Sequence, residues 1–468
     1  MKVIIIGAGK LGYKLAESMI NSEVDVTLVD SNPEVINRAN EHLDLLTVCA
    51  NGLEIEILKD LEIETYDLLI AATSSDETNT IICSLAKKLG CKRTISRIRN
   101  PEYTEQLDFI KREMGIDHII NPDLATADEI LKLALKDYNF YSGDFAKGKV
   151  QMIDICVNNM NKIIGKKLME IDSLKGLLIA AISRDGKIKI PDGSTKLEID
   201  DIIYFIGKRE SIEKLVKKYK LNSGSINIKN VMILGGGKIG YYLANKLSEF
   251  NIKSTVVEQN NERCVYLMNN LKKGLVIHGD GTDLNLLEEE NLSEMDAFIA
   301  VTGFDEQNIL MSLLAKQSGI KKVITKISRP NYTNLIEKLD LDIALNPVNI
   351  TVSDILRYIR GGKVVSVSLL LGDQAEVTEV IVDEDLPIVG KAISDLGLSK
   401  GIIIGALVHN GDVIIPNGNT IINKYDRLII YSLVENVQGL DMFFKKNKED
   451  RISELWNSNK SNGEFAST

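Results

Sequence analysis

The chain has 468 residues, of which 44% are hydrophobic, 26% charged and 5% aromatic, with only 8 prolines. That length implies about three domains, and the composition excludes disordered and fibrous classes. A formal charge of −10 speaks against non-specific nucleic-acid binding, which depends on neutralising phosphates.

Taken in chain order, an apolar run Lys2–Ile6 enters Gly7-Ala8-Gly9-Lys10-Leu11-Gly12 and then a helical stretch, Leu11–Ile20. Further strand-like runs, Val26–Val29, Leu68–Ala72 and Lys92–Ile98, alternate with helical stretches at Asn79–Leu89, Pro101–Met114 and Ala125–Leu135. Such alternation predicts βαβ units around a mostly parallel sheet. From about residue 149 the texture changes to short alternating runs (Gln151–Val157, Leu177–Ser183, Ile202–Ile206) between Asp-Gly and Asn-Gly turns. One short helix is expected near Lys166–Glu170, within a small β-rich α+β module.

The chain is then written again. VIIIGAGKLGYKLAESM returns as VMILGGGKIGYYLANKL, 228 residues on, and Asp30 returns as Glu258. Thr73, Asp76 and Asn79 match Thr302, Asp305 and Asn308, and Pro101 and Tyr103 match Pro330 and Tyr332, at an offset of 229. Asn121-Pro122 matches Asn346-Pro347, and Asp185-Gly186 matches Asn410-Gly411, at 225. Ordered matches with small changes of offset mark a duplication. The expected architecture is α/β: two Rossmann-like parallel-sheet domains (1–135, 229–350) alternating with two small β-rich domains (140–222, 363–440). Polar joins, the second of them with Ser-Gly-Ser, separate them. The tail, 445–468, is expected to fray, with Arg451–Trp456 at most a short docking helix.

A glycine turn between strand and helix permits the tight bend, close backbone approach to a pyrophosphate, and helix–strand packing. Phosphates then lie over helix-terminal N–H groups. Asp30, 18 residues past Gly12, stands where a carboxylate accepts from ribose hydroxyls, which argues against a 2′-phosphate. Gly235-Gly236-Gly237-Lys238-Ile239-Gly240 with Glu258 repeats the construction. Thr73 and Thr302 follow buried strands at the ligand-binding edge. Asp76 and Asn79 read equally as ligand contacts or helix caps. Arg97 reads as a phosphate-neutralising residue or an interdomain contact, and both stay open. Arg97 and Arg99 become Lys326 and Ser328 in the second copy. The second copy's Gly279-Asp280-Gly281-Thr282-Asp283 loop, suited to adenine or ribose, has only the plainer Ala50-Asn51-Gly52-Leu53 as its counterpart. The two sites are therefore expected to differ in affinity or ligand.

Five separated cysteines (Cys49, Cys83, Cys91, Cys156, Cys264) with no CxxC fit a reducing compartment. The four isolated histidines show no metal site. No signal peptide or spanning run is visible, so a soluble protein is expected. No G-x-x-x-x-G-K-[ST] loop occurs. His118 reads as packing or capping and His409 as part of a turn, with no acid/base constellation around either, so no enzyme is expected.

On Gly7–Gly12 with Asp30, Ser75-Asp76-Glu77-Thr78-Asn79 and Ile98-Arg99-Asn100-Pro101-Glu102-Tyr103, the chain resembles the TrkA family. Gly235–Gly240, Glu258 with Arg263, and Gly279–Asp283 carry the same likeness in the second copy. These are cytosolic regulatory subunits of Trk potassium uptake systems, with tandem RCK (KTN) domains, each followed by a C-terminal companion. The resemblance spans roughly residues 1–440 and implies binding of NAD(H) and ATP/ADP. It also implies a homo-oligomeric dimer or tetramer ring at the inner membrane face, beneath a membrane-embedded Trk-type potassium-translocating subunit. By it Arg263 lies near ligand phosphates, whereas the first copy has Val35 at that offset. An NAD-dependent oxidoreductase and a regulator of a different ion transporter are the alternative readings.

Overall fold

Strand β1 (Lys2–Ile6) is central to the first sheet: Val3, Ile4 and Ile5 are fully buried, and both edges of the strand are paired. The computed structural model describes residues 1–20, 24–135, 142–171, 176–219, 228–329, 332, 339, 341–360, 364–370 and 374–443. Pro330, most of the join before Lys229 and the tail from Lys445, including Trp456, lie outside the described residues.

After β1 come α1 (Lys10–Ile20), β2 (Asp25–Asp30), α2 (Pro33–His42), β3 (Leu46–Cys49), α3 (Ile55–Asp60), β4 (Leu68–Ala71) and α4 (Asp76–Lys88). β5 (Thr94–Arg97), α5 (Leu107–Glu113), β6 (His118–Ile120) and α6 (Pro122–Ala134) complete the first fold. The strands are parallel in the order β3-β2-β1-β4-β5-β6. The order reverses between β1 and β4, which opens a crevice at the carboxyl edge. The helix expected over Pro101–Met114 is split: Asn100 caps a 3₁₀ segment, Pro101–Gln106, and α5 follows it. Proline is favoured in a first turn because it has no N–H to leave orphaned there.

The first small module holds β7 (Ser142–Phe145), β8 (Val150–Cys156), β9 (Leu177–Arg184), β10 (Lys187–Lys189), β11 (Ile202–Lys208) and α7 (Arg209–Lys218), with sheet order β10-β9-β11-β8-β7. The short helix expected near Lys166–Glu170 is a 3₁₀ turn, Leu168–Glu170.

The second copy repeats the first. Its larger fold is β12 (Asn230–Leu234), α8 (Lys238–Glu249), β13 (Lys253–Glu258), α9 (Asn261–Asn270), β14 (Leu275–His278), α10 (Leu284–Glu289), β15 (Ala297–Ala300), α11 (Asp305–Gln317), β16 (Lys322–Lys326), β17 (Ile343–Leu345) and α12 (Pro347–Arg360). The sheet is parallel again, β14-β13-β12-β15-β16-β17. β18 (Val364–Leu370), β19 (Ala375–Ile381), β20 (Ile402–His409), β21 (Asp412–Ile414) and β22 (Arg427–Leu433) form an antiparallel sheet in the order β18-β19-β22-β20-β21.

Like modules pair with like. Among the described residues, Met1–Ser142 and Val216–Ile355 belong to one compact unit, and Gly143–Leu215, Leu356–Leu370 and residues 374–443 to another. Within the first unit, α6 packs along α8. Ala127, Ile130 and Leu131 of α6 share one buried cluster with Ile239, Tyr242 and Leu243 of α8. Asn121 Nδ2 donates to the Tyr242 hydroxyl (3.0 Å), and Lys246 pairs with Asp128. In the second unit, Ile206 of β11 fills the space left by Gly405 of β20, while Ala146 N donates to Glu379 Oε1 (3.0 Å).

Ile130 is fully buried in the shared cluster. Ile130→Ala is expected to cost about 2–5 kcal/mol, as for other buried large-to-small changes. Urea unfolding checks the loss, and hydrogen exchange should rise in both parallel sheets together.

Candidate functional site

The turn after β1 is held by backbone. Gly7 N donates to Val29 O (2.8 Å), and Gly7 has φ +102°, a conformation that favours glycine. A side chain on Gly12 would put its Cβ 1.8 Å from Gly7 O. The second copy has the same needs: Gly235 has φ +107°, and a Cβ on Gly240 would lie 2.1 Å from Gly235 O. Gly9 and Gly237 differ, since a Cβ on either would meet nothing within 4 Å. Neither has a positive φ, so the fold itself does not require glycine at these two positions.

The two acids sit where spacing predicted, ending β2 and β13. Asp30 accepts from Ala8 N (2.7 Å, Oδ2) and Asn32 N (2.9 Å, Oδ1). Glu258 accepts from Gly236 N (2.8 Å) and Asn260 N (2.9 Å). Each carboxylate is thus locked beside its glycine turn, with lone pairs left for hydroxyl donors.

A cavity of about 670 Å³ opens over this turn, lined by Gly7, Gly9, Lys10, Leu11, Asp30 and Thr73, among others. Arg97 and Arg99 also line it. Arg97 Nη1 donates to Thr73 O (2.9 Å), while its buried Nε has no hydrogen-bond partner among the described residues. Burial, then the neighbouring Arg99 charge, lowers its pKa from the ordinary value. Arg99 moves the other way: burial is the strongest single influence and lowers it, but the hydrogen bond and charge of Asp123, with Asp76, outweigh it.

Two predicted contacts are instead occupied by the protein. Asn79, fully buried, accepts at Oδ1 from Thr73 N (2.8 Å) and Thr73 Oγ1 (2.7 Å). Its Nδ2 donates to Thr73 O (3.2 Å) and Arg97 O (2.9 Å). Asp76 Oδ2 accepts from Arg99 N and Asn100 N (2.9 and 2.8 Å). Neither residue caps α4; Ser75 does, accepting from Thr78 N (3.1 Å). Asn308 and Asp305 repeat the pattern around Thr302, Lys326, Ser328 and Arg329. These amides and carboxylates set the strand-end loops that carry Thr73, Arg97 and their counterparts.

In the second copy, Lys238 and Ile239 open α8 beyond the turn. Lys326 Nζ donates to Thr302 O, and burial lowers its pKa. Arg263 lies across the turn, donating from Nε to Gly236 O (2.7 Å) and from Nη2 to Gly237 O (3.2 Å). Its guanidinium stacks 4.4 Å from the Tyr266 ring and 5.9 Å from Tyr241. The first copy answers from one helical turn further on: Arg38 stands 5.6 Å over Tyr13, so Val35 does not leave that position without a cation nearby. Gly279 leads the second loop, in which Asp280 accepts from Thr282 N and Oγ1 (2.9 and 2.8 Å). Those two bonds hold its carboxyl below the usual carboxylate range. Asn51, the plainer counterpart, makes a similar turn to Leu53 N (3.1 Å) and lines the first cavity.

Sequence reasoning missed Asp123 and the α12 residues Pro347, Val348 and Thr351, all of which line the first cavity. The loss of both Arg99 and Asp123 from the second copy was the available signal. The reading of His409 as an unaccompanied turn residue is corrected. It ends β20, and its Nδ1 lies 2.6 Å from Oδ1 of buried Asp426. At the equivalent place Arg184 forks onto buried Asp201 (2.7 and 2.8 Å), so His409 belongs to a repeated structural brace. Among the described residues no group of three or more His, Cys, Asp or Glu can hold a metal, and no helix is long and apolar enough to cross a membrane.

A glycine turn, a strand-end acid and a cavity at the sheet switch point define a duplicated Rossmann-type fold of the class built to hold nucleotides. The TrkA-N domain matches residues 3–122 and 231–347, and the TrkA-C domain matches 152–220 and 377–445. The Trk system potassium uptake protein TrkA homolog 1 of Methanosarcina mazei is 34% identical over 453 residues, covering 95% of this chain and 100% of that protein. The Haemophilus influenzae Trk system potassium uptake protein TrkA is 34% identical over 455 residues, covering 95% and 99%. The chain belongs to the TrkA family of potassium-uptake regulatory proteins. The solved RCK domain of GsuK shares the fold, with TM-score 0.55, 18% identity and coverage of 95% of this chain and 94% of that one. The GsuK channel bound to NAD gives TM-score 0.54 and 17% identity, covering 95% and 78%.

Asn79→Ala strands several buried backbone partners and is expected to cost at least about 2 kcal/mol. Thermal unfolding checks this, and Asn308→Ala should show the same loss because its bonds are the same.

Proposed function

We propose that this protein is a nucleotide-binding regulatory subunit that gates a membrane-embedded, Trk-type potassium-translocating subunit. It acts without catalysing a reaction, through ligand-dependent rearrangement of its domains. The two glycine turns, with Asp30 and Glu258, hold NAD(H) or ATP/ADP. Lys10, Leu11, Thr73 and Arg97 contribute in the first fold, and Lys238, Ile239, Arg263, Gly279, Asp280 and Thr302 in the second. The working form is a homo-oligomeric ring, cytoplasmic and attached to the inner face of the membrane through its protein partner. The functional division is into domains 1–135, 140–222, 229–350 and 363–440.

One observation carries the ligand reading: the open space at Gly9 and Gly237, which neither a positive φ nor internal packing accounts for, although Gly237 also serves as the N-cap of α8. A phosphate approaching the turn does account for it. Family membership and the NAD-bound relative of the same fold support it further. Ligand shifts the domain equilibrium only by its differential affinity between states.

The test uses the full chain with ATP, ADP and NADH by calorimetry. Gly9→Val and Gly237→Val should shift the unfolding midpoint only slightly, since a Cβ at either place meets nothing within 4 Å and the exchange of the α8 N-cap Gly237 for valine costs about 1 kcal/mol. Each should weaken ligand at its own site at least tenfold, about 1.4 kcal/mol. Potassium flux through a co-reconstituted membrane partner should respond to nucleotide in the parent and not in the double variant. Full-strength binding by the double variant overturns the site assignment.

A further inference from the structure

The first cavity contains an ion pair that the second fold lacks. Arg99 forks onto Asp123, Nε to Oδ2 at 2.7 Å and Nη2 to Oδ1 at 3.2 Å, and both residues face the cavity. At the repeat-equivalent positions stand Ser328 and Val348, so neither member of the pair is present there. Beside it, the buried Arg97 Nε has no hydrogen-bond partner among the described residues. Asp123 lies in the first turn of α6, at helical spacing from Ala127, Ile130 and Leu131, which pack on α8 of the second fold.

We infer that Arg99 and Asp123 form a latch sensitive to a terminal phosphate, and that it distinguishes the first site from the second. The inference rests on the nucleotide reading above and names the ligand class: a nucleoside di- or triphosphate with a free terminal phosphate. A guanidinium fork fits phosphate as it fits carboxylate, so a multiply charged phosphate at Arg97 competes with Asp123 for Arg99. The pyrophosphate of a dinucleotide lies between two nucleosides and has no free end to make this exchange. Asp123, once released, stays near the positive end of α6, which favours an anion and limits the cost of opening. Because α6 is seated on α8, a change in its first turn biases the second nucleotide fold. By linkage the effect is reciprocal.

The test is calorimetric titration of the full chain with ADP, ATP and NAD, in a Glu258→Ala background that weakens the second site. The double variant Arg99→Ser/Asp123→Val installs the residues the second fold already carries. It is expected to lose about tenfold in ADP and ATP affinity, the scale of one charge-assisted hydrogen bond, with NAD affinity within about twofold of its starting value. Asp123→Asn removes the competing charge and keeps the side-chain shape, so it should tighten ADP and leave NAD unchanged. On adding ADP, hydrogen exchange along α8 should change in the background protein and not in the double variant. An unaltered ratio of ADP to NAD affinity in both variants overturns the latch while leaving nucleotide binding intact. Absence of any nucleotide binding before these changes overturns the nucleotide reading, and the latch with it.

Discussion

Gly12 passes so close to the Gly7 carbonyl that no side chain can be inserted, and Gly7 is backed in turn by the Ala72–Thr73 peptide. This contact fixes the first turn of α1 over the carboxyl edge of the sheet. Thr73 is then held by Asn79, and Asn79 also grips the Arg97 carbonyl. Four separate segments are thereby brought to one crevice by backbone and amide bonds. The same arrangement recurs from Gly235 to Lys326. Removing the close approach would move the helix terminus, the acid and the cation relative to one another.

That scaffold is symmetric where change is costly and asymmetric where it is cheap. Glycines in strained or crowded positions and fully bonded buried amides recur in both copies. The outward-facing ends of the same strands diverge: Arg97 against Lys326, Cys49 against His278, and Arg99 with Asp123 against Ser328 with Val348. The aromatic–arginine contacts illustrate the same freedom. Position 35 is valine where the second copy has Arg263, yet Arg38 reaches Tyr13 from the next turn of the helix. Two folds of one construction therefore present different side chains at the same edge of the sheet.

Pairing like with like makes each larger fold complete part of the other's surroundings. α6 belongs to the first fold by sequence and sheet connection, yet its apolar face is buried against α8 of the second. The start of α12, at the end of the second fold, lines the first cavity. Neither fold buries its outer helices alone, which is a physical reason for both copies to reside in one chain. The small modules repeat the principle: Glu379 of one accepts from Ala146 N of the other.

The amino-acid sequence by itself determined the longer strands, though not the short β3, β6, β7 and β10, together with the glycine turns, the places of Asp30 and Glu258 at strand ends, the duplication, and the change from parallel to antiparallel texture. These depend on local spacing, side-chain period and turn sterics, all of which are carried by neighbouring residues. Only the tertiary structure decided that Asp76 and Asn79 hold strand-end loops, that His409 braces Asp426, and that Asp123 and α12 face the first cavity. Those assignments depend on which groups remote in the chain come within hydrogen-bonding reach. A carboxylate or amide looks the same in sequence whether its lone pairs are committed to the backbone or left open to a ligand.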